Sequence, residues 1–128
     1  MDERFLIDTN IIIYYLNNEI PANHLERVEE IIRTSFHIST ITKIELLGWR
    51  ALDKEGESEM RTFLAPAQII YVDPAIEEQA IQIKQGQKIK TPDAIIGATA
   101  IVYDMTVVTR NVSDFDKIDG IRLYNPFE

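Results

Sequence analysis

The sequence has no cysteine in any of its 128 positions. That excludes thiol nucleophiles, disulfide frameworks and thiolate zinc sites, and it is compatible with a reducing compartment. Long hydrophobic runs are equally absent. No stretch approaches the ~18 consecutive apolar residues that a membrane span needs. The opening, MDERFLIDTNIIIYYL, puts Asp2 and Glu3 where a signal peptide wants basic residues. Positive charge is scarce: 13 Lys and Arg against 21 Asp and Glu leave a formal net charge of −8. A uniformly basic surface for gripping phosphate backbones is thereby excluded, so any nucleic-acid chemistry must run through a local patch or bridging cations. The five glycines and five prolines are thinly spread, with no G-x-G-x-x-G, P-loop or G-x-S-x-G among them. Nucleotide cradles and hydrolase triads lose support accordingly. What remains is ordinary globular composition, 45% hydrophobic and 27% charged, in a length that fits a single domain over 1–128. The expectation is a small, acidic, cytoplasmic domain.

Strands and helices alternate along this chain. Phe5, Leu6 and Ile7 read as a buried strand closed by Asp8-Thr9-Asn10, with Asn10 capping a helix over 11–17. Pro21 opens a second helix, and 36–39 alternates as a short strand. A third helix starts at Thr42, with Ile44, Leu47 and Ala51 on one face, and frays in the charged segment 53–59. Met60, Phe63 and Leu64 mark a further short helix, stopped by Pro66. Residues 69–72 form a compact strand, Asp73-Pro74 starts a helix and Gly86 ends it. Thr91-Pro92-Asp93 starts the next, with Thr91 as its cap; its body, 94–103, is apolar nearly all round and should be central. TVVT at 106–109 is a β-branched strand, Ser113 caps a single turn, and 121–124 makes a last edge strand. Continuous apolar strand cores separated by helices predict α/β architecture: a three-layer α/β/α sandwich with a mostly parallel central sheet.

Ligands of open α/β sheets bind beyond the carboxyl ends of the strands, and carboxylates gather at such places here. Asp8 closes the first strand, Glu45 follows the second, Asp93 sits in the first turn of the central helix, and Asp114 and Asp116 follow TVVT. Hard oxygen ligands suit Mg²⁺ or Mn²⁺, and two such ions about 4 Å apart activate water and stabilise the leaving oxygen of a phosphodiester. Each residue also has a structural reading. Asp8 can start a turn or help cap the first helix. Thr42 and Glu45 spell a Thr-x-x-Glu capping box, and Asp93 suits the positive end of a helix dipole. Asp114 and Asp116 fit a solvated loop. His24 and His37 lack metal-ligand spacing, and Tyr14, Tyr15 and Trp49 read as core or interface packing. Ile12, Tyr15, Ile31 and Ile32 are core or dimer contacts, which periodicity alone does not separate.

Four segments in order, FLIDTNIIIYYL, ISTITKIELLG, KTPDAIIGATA and VVTRNVSDFDKIDGIRLYNPF, resemble the PIN-domain family, and more narrowly its VapC-type toxins of bacterial toxin–antitoxin pairs. The resemblance runs nearly from end to end. It implies a Mg²⁺-dependent ribonuclease (Mn²⁺ substituting) that cuts RNA, with Asp8, Glu45, Asp93 and Asp114 as catalytic metal ligands. Asn111 and Asp116 lie near the fourth position. It also implies polar support from Thr9, Asn10 and Thr109, and substrate phosphate contact for Arg110. Its expected partners are a second copy of the chain and a separate antitoxin polypeptide whose tail enters the groove. The alternative of another class is a PIN-like binding or regulatory module without turnover. A haloacid-dehalogenase phosphatase needs a second Asp two residues after the first, where this chain has Asn10, and a receiver domain needs an acidic pair that the single Asp8 does not supply.

Overall fold

The computed structural model describes residues 3–128. Its strands are short, three residues each: β1 (Phe5–Ile7), β2 (His37–Ser39), β3 (Gln68–Ile70), β4 (Thr106–Val108) and β5 (Arg122–Tyr124). They form one sheet, parallel throughout, in the order β3-β2-β1-β4-β5. Seven helices connect and flank them among the described residues: α1 (Thr9–Leu16), α2 (Ala22–Thr34), α3 (Thr40–Leu47), α4 (Lys54–Leu64), α5 (Pro74–Gly86), α6 (Thr91–Tyr103) and α7 (Val112–Phe115). None is long and apolar enough to cross a membrane.

Side chains alternate across a strand, and the two faces of this sheet are both apolar. Phe5, Ile7, Ile38 and Val108 face one cluster, completed by Ile11, Ile12, Val28, Ile31 and Leu64 from α1, α2 and α4. Leu6 and Val107 face the other, completed by Ile76, Ala80 and Ile83 of α5, by α6, and by Phe115 of α7. The expected three layers are therefore present, with β1 at the centre. Helix α6 is buried along most of its length, as its all-round apolar sequence requires. Ile12 and Ile31 are core, and Tyr15 and Ile32 pack against the same cluster.

The differences from expectation lie mostly at boundaries. α1 starts at Thr9, and Asp8 rather than Asn10 is its cap, accepting from the Thr9 amide. α3 starts two residues before Thr42 and is capped by Ser39, which accepts from the Ile41 amide; it stops at Leu47, short of Ala51. Ile44 consequently points outward rather than into the core, as does Ile81 of α5. The charged segment 53–59 does not fray. Asp53 accepts from the Gly56 amide and starts α4, which continues through Met60 and Phe63. Strand β3 lies one residue earlier than the apolar run suggests, leaving Tyr71 and Val72 exposed. Lys90, not Thr91, precedes α6, and Asn111, not Ser113, precedes α7.

The short α7 matters because it carries Asp114, and one residue anchors it. Phe115 is fully buried in the α5–α6 cluster. Phe115→Ala should cost about 3–5 kcal/mol in urea unfolding, the usual range for emptying a buried phenylalanine site. A loss below about 1 kcal/mol would mean that the turn is held by something other than this side chain.

Candidate metal-binding cleft

The cleft opens beyond the carboxyl end of the sheet, where β1 and β4 lie side by side. Asp8 is the first residue past β1, and its amide still donates to Val108 O (3.0 Å), so its backbone is tied to the neighbouring strand. Its carboxylate is only 6% exposed. Oδ1 accepts from the Thr9 amide at 2.9 Å, and Oδ2 accepts from the Thr109 hydroxyl at 2.9 Å. Thr109 is oriented in turn, because its oxygen accepts from the Asn111 amide at 2.9 Å. Thr9 donates its hydroxyl to Glu45 Oε1 at 2.5 Å. Having given its only proton there, it takes one from the buried Thr42 hydroxyl, 3.0 Å away. Glu45 thus caps nothing. Ser39 has the capping role, and Thr42 holds Thr9, which holds Glu45.

The cleft measures about 470 Å³, and Asp8, Glu45, Asp93 and Asn111 are among its lining residues. Burial pushes the Asp8 carboxyl from its ordinary 3.8 up to about 6, and the negative charges of Asp93 and Glu45 add to the rise, against the hydrogen bonds from Thr109 and Thr9. Asp93, half-buried in the first turn of α6, is also raised, by burial first and then by Asp114 and Glu45, with Lys90 opposing. Asp114 is exposed and lies on the far side of Asp93, in an adjoining cleft of about 370 Å³ that Asp93 also lines. Asp116 is the residue after α7 and lines neither cleft. Three of the four expected carboxylates therefore share one cleft, and the fourth reaches it through Asp93.

Like charges this close raise one another's pKa, and cationic neighbours relieve that cost. Among the described residues none of the four forms an ion pair. No three acidic or histidine side chains among them converge closely enough to make a ready-formed metal site. The arrangement is an oxygen-lined groove with an uncompensated buried carboxylate at its floor. Its donors are carboxylates, a threonine hydroxyl and the amides of Asn10, Asn17 and Asn111, which fits a hard cation that keeps several of its waters and does not fit a soft one.

Among the site's neighbours the sequence offers Trp49 as core or interface packing and does not single out Ile13, Leu16 or Leu46. Ile13, Leu16, Leu46 and Trp49 form an apolar wall beside the carboxylates. Trp49 is 65% exposed, so it is not core. The available signal was α1 itself, whose Ile11 and Ile12 are buried while Ile13 and Leu16 point out: a surface helix apolar all round has to expose part of its apolar surface. Arg110, expected near phosphate, lies over Phe127 (4.2 Å to the ring centroid) and Tyr14 (5.3 Å).

Comparison with known proteins places the chain in a family and supports its fold. The family profile described as PIN domain matches residues 5–121. The tRNA(fMet)-specific endonuclease VapC of Shigella flexneri is 26% identical over 127 residues, covering 93% of this chain and 95% of its own. Ribonuclease VapC2 of Rickettsia felis is 28% identical over 130 residues, covering 94% and 96%. A solved toxin-antitoxin complex from Klebsiella pneumoniae superposes with a TM-score of 0.76 at 32% identity, covering 96% of this chain and 98% of that one.

The raised Asp8 pKa has a measurable consequence. Between pH 3.8 and about 6 the folded chain holds a proton on Asp8 that the unfolded chain has lost. The fold therefore binds more protons, and stability from this group falls as pH rises through that window. Ionised Asp8 costs the metal-free fold about 3 kcal/mol at pH 7. Asp8→Asn keeps an oxygen for the Thr9 amide and removes the charge. The variant should melt several degrees above wild type at pH 7.5 in chelator, and the gap should close by about pH 4. A variant that melts lower at pH 7.5 would show that the buried charge is already compensated.

Proposed function

This chain belongs to the PIN domain family, and we propose on that footing that it is a divalent-metal-dependent endoribonuclease, the toxin of a toxin–antitoxin pair. One observation carries the reading: a buried carboxylate of raised pKa at the end of the central strand, ringed by two further carboxylates and no cation. A structural cap would have no use for such company. The relatives named as endonuclease and ribonuclease support the same class of reaction.

Asp8, Glu45 and Asp93, with Asp114 beside them, would hold one or two Mg²⁺ or Mn²⁺ ions. When bound, such an ion supplies a water of lowered pKa and neutralises charge building on a phosphate. The rest of the work falls to side chains. Thr109 keeps Asp8 Oδ2 occupied on the strand side, so Asp8 presents its remaining lone pairs to the cleft. Thr9, held by Thr42, aims Glu45 into the same space, where it orients a ligand or the attacking water. The helix dipole of α6 favours the ionised form of Asp93, the form that binds cations. The apolar wall of Ile13, Leu16 and Trp49 suits a folded-on segment of a separate antitoxin polypeptide. The Klebsiella neighbour was solved as a toxin-antitoxin complex. A homodimer and a cytoplasmic location complete the proposal.

Asp93→Asn should lower RNA cleavage in Mn²⁺ by at least about a hundredfold while leaving the fold intact, and chelator should silence wild type. Millimolar Mn²⁺ should raise the melting temperature of wild type only; at a hundredfold excess over Kd the stabilisation is about 2.7 kcal/mol. Cleavage at the wild-type rate by Asp93→Asn sinks the assignment. Stabilisation by Mn²⁺ without cleavage of any RNA returns the chain to the class of binding modules.

A further inference from the structure

The net charge of −8 leaves a polyanion nothing to hold except a local patch, and one exists beside the carboxylates. The chain has six lysines. Three of them, Lys88, Lys90 and Lys117, line the adjoining cleft of about 370 Å³, together with Asp93, Asp114 and Ser113. Two separate pieces of chain bring them there: the 87–90 connection between α5 and α6, and the turn after α7 that Phe115 anchors. Lys84 reinforces the first piece by donating its Nζ to Ile89 O at 2.9 Å, which ties the connection back onto α5. All three lining lysines are exposed, and among the described residues none is in an ion pair. Their charges face the cleft, where Asp93 and Asp114 offset them in part and Lys90 acts on Asp93.

Asp93 lines both this cleft and the larger one. The two therefore meet at Asp93, with carboxylates lining the first and three lysines beside Asp93 and Asp114 lining the second. Elsewhere, Arg27, Arg61 and Arg122 are each engaged by an acidic side chain and Arg110 is stacked on aromatic rings, whereas Arg33, Arg50, Lys43 and Lys54 line neither of these two clefts. A phosphodiester strand running past Asp93 would meet three carboxylates in the larger cleft and, in the other, three ammonium groups that outnumber its two carboxylates. We propose that Lys88, Lys90 and Lys117 form a phosphate-backbone subsite, which holds single-stranded RNA on the Asp114 side of the bond to be cut. The subsite is sequence-tolerant, because ammonium groups read charge and not base edges. It rests on the nuclease reading for its purpose, but binding can be measured without turnover.

The test is binding of a fluorescein-labelled 12-nucleotide RNA, by anisotropy in chelator across a salt series. Three proteins are compared: wild type, Lys88→Gln/Lys117→Gln, and Arg33→Gln/Lys54→Gln, which removes the same charge elsewhere. Lys90 is left alone because its charge also acts on Asp93. Loss of two phosphate contacts should weaken binding on the order of tenfold at about 50 mM salt and lower the slope of log Kd against log salt by about 1.4. The control pair should keep the wild-type slope. Equal slopes in all three proteins would overturn the proposal, as would a wild type that binds no RNA at low salt. In cleavage assays the Lys88→Gln/Lys117→Gln pair should raise KM far more than it lowers kcat. If Asp93→Asn cuts RNA normally while the lysine pair still lowers the slope, the metal assignment fails and the subsite stands. If wild type cuts RNA and the lysine pair leaves KM unchanged, the reverse holds.

Discussion

A carboxylate that water barely reaches, placed where two central strands end, is the constraint the rest of the molecule answers to. Asp8 is fixed by its own helix on one oxygen and, on the other, by Thr109 just past the neighbouring strand β4. Those two bonds cannot both form unless β1 and β4 are in register, Ile7 against Val108. The sheet order follows the same logic. With β2 on one side of β1 and β4 on the other, the connections leave in opposite directions, and a crevice opens between them. Into it come α3 from β2, carrying Glu45, and the N-terminus of α6, carrying Asp93.

The hydroxyl network gives the site its stiffness. Thr109, Thr9 and Thr42 are all buried or nearly so, and each has a partner that leaves it one orientation. No buried side-chain polar atom among the described residues is left unpaired. Such a shell holds the carboxylate in place and favours its ionised form, but burial outweighs it, and Asp8 keeps its proton to an unusual pH.

Local signals in the sequence were readable, and those settled by distant parts of the chain were not. Asp73-Pro74 is legible because the bond it makes, Asp73 Oδ1 to the Ile76 amide, lies within four residues. Asp8 and Asn10 compete as caps two residues apart; Asp8 takes the role through the Thr9 amide, while its other oxygen is held by Thr109, 101 positions away in the chain. The Thr42–Glu45 pair spells a capping box, but Ser39 ends β2 early enough to take the role, which frees Glu45 for the cleft. The carboxylate pattern placed Asp8, Glu45 and Asp93 at strand ends and a helix start, and they meet in one cleft; Asp114 is a neighbour at one remove. Helix α4 was misread because Lys54 to Glu59 offers almost no apolar period, and its cap, Asp53 to Gly56, was the better guide. The apolar wall was invisible because exposure of Ile13 or Trp49 is a property of neighbours.

The bond from Thr109 to Asp8 spans 101 residues, and the strands that carry them pair over the same distance. Contacts so remote in sequence form late, because the loop entropy between them is lost before they give anything back. During synthesis, a chain emerging from the ribosome carries β1 long before β4 exists. Through that interval Asp8 has no partner strand and no Thr109, and β1 lacks the neighbour that completes its face of the core. The cleft therefore cannot assemble piecemeal. It comes into being only once β4 and Thr109 have been made, so a chain that stops short of them carries the carboxylates without the site.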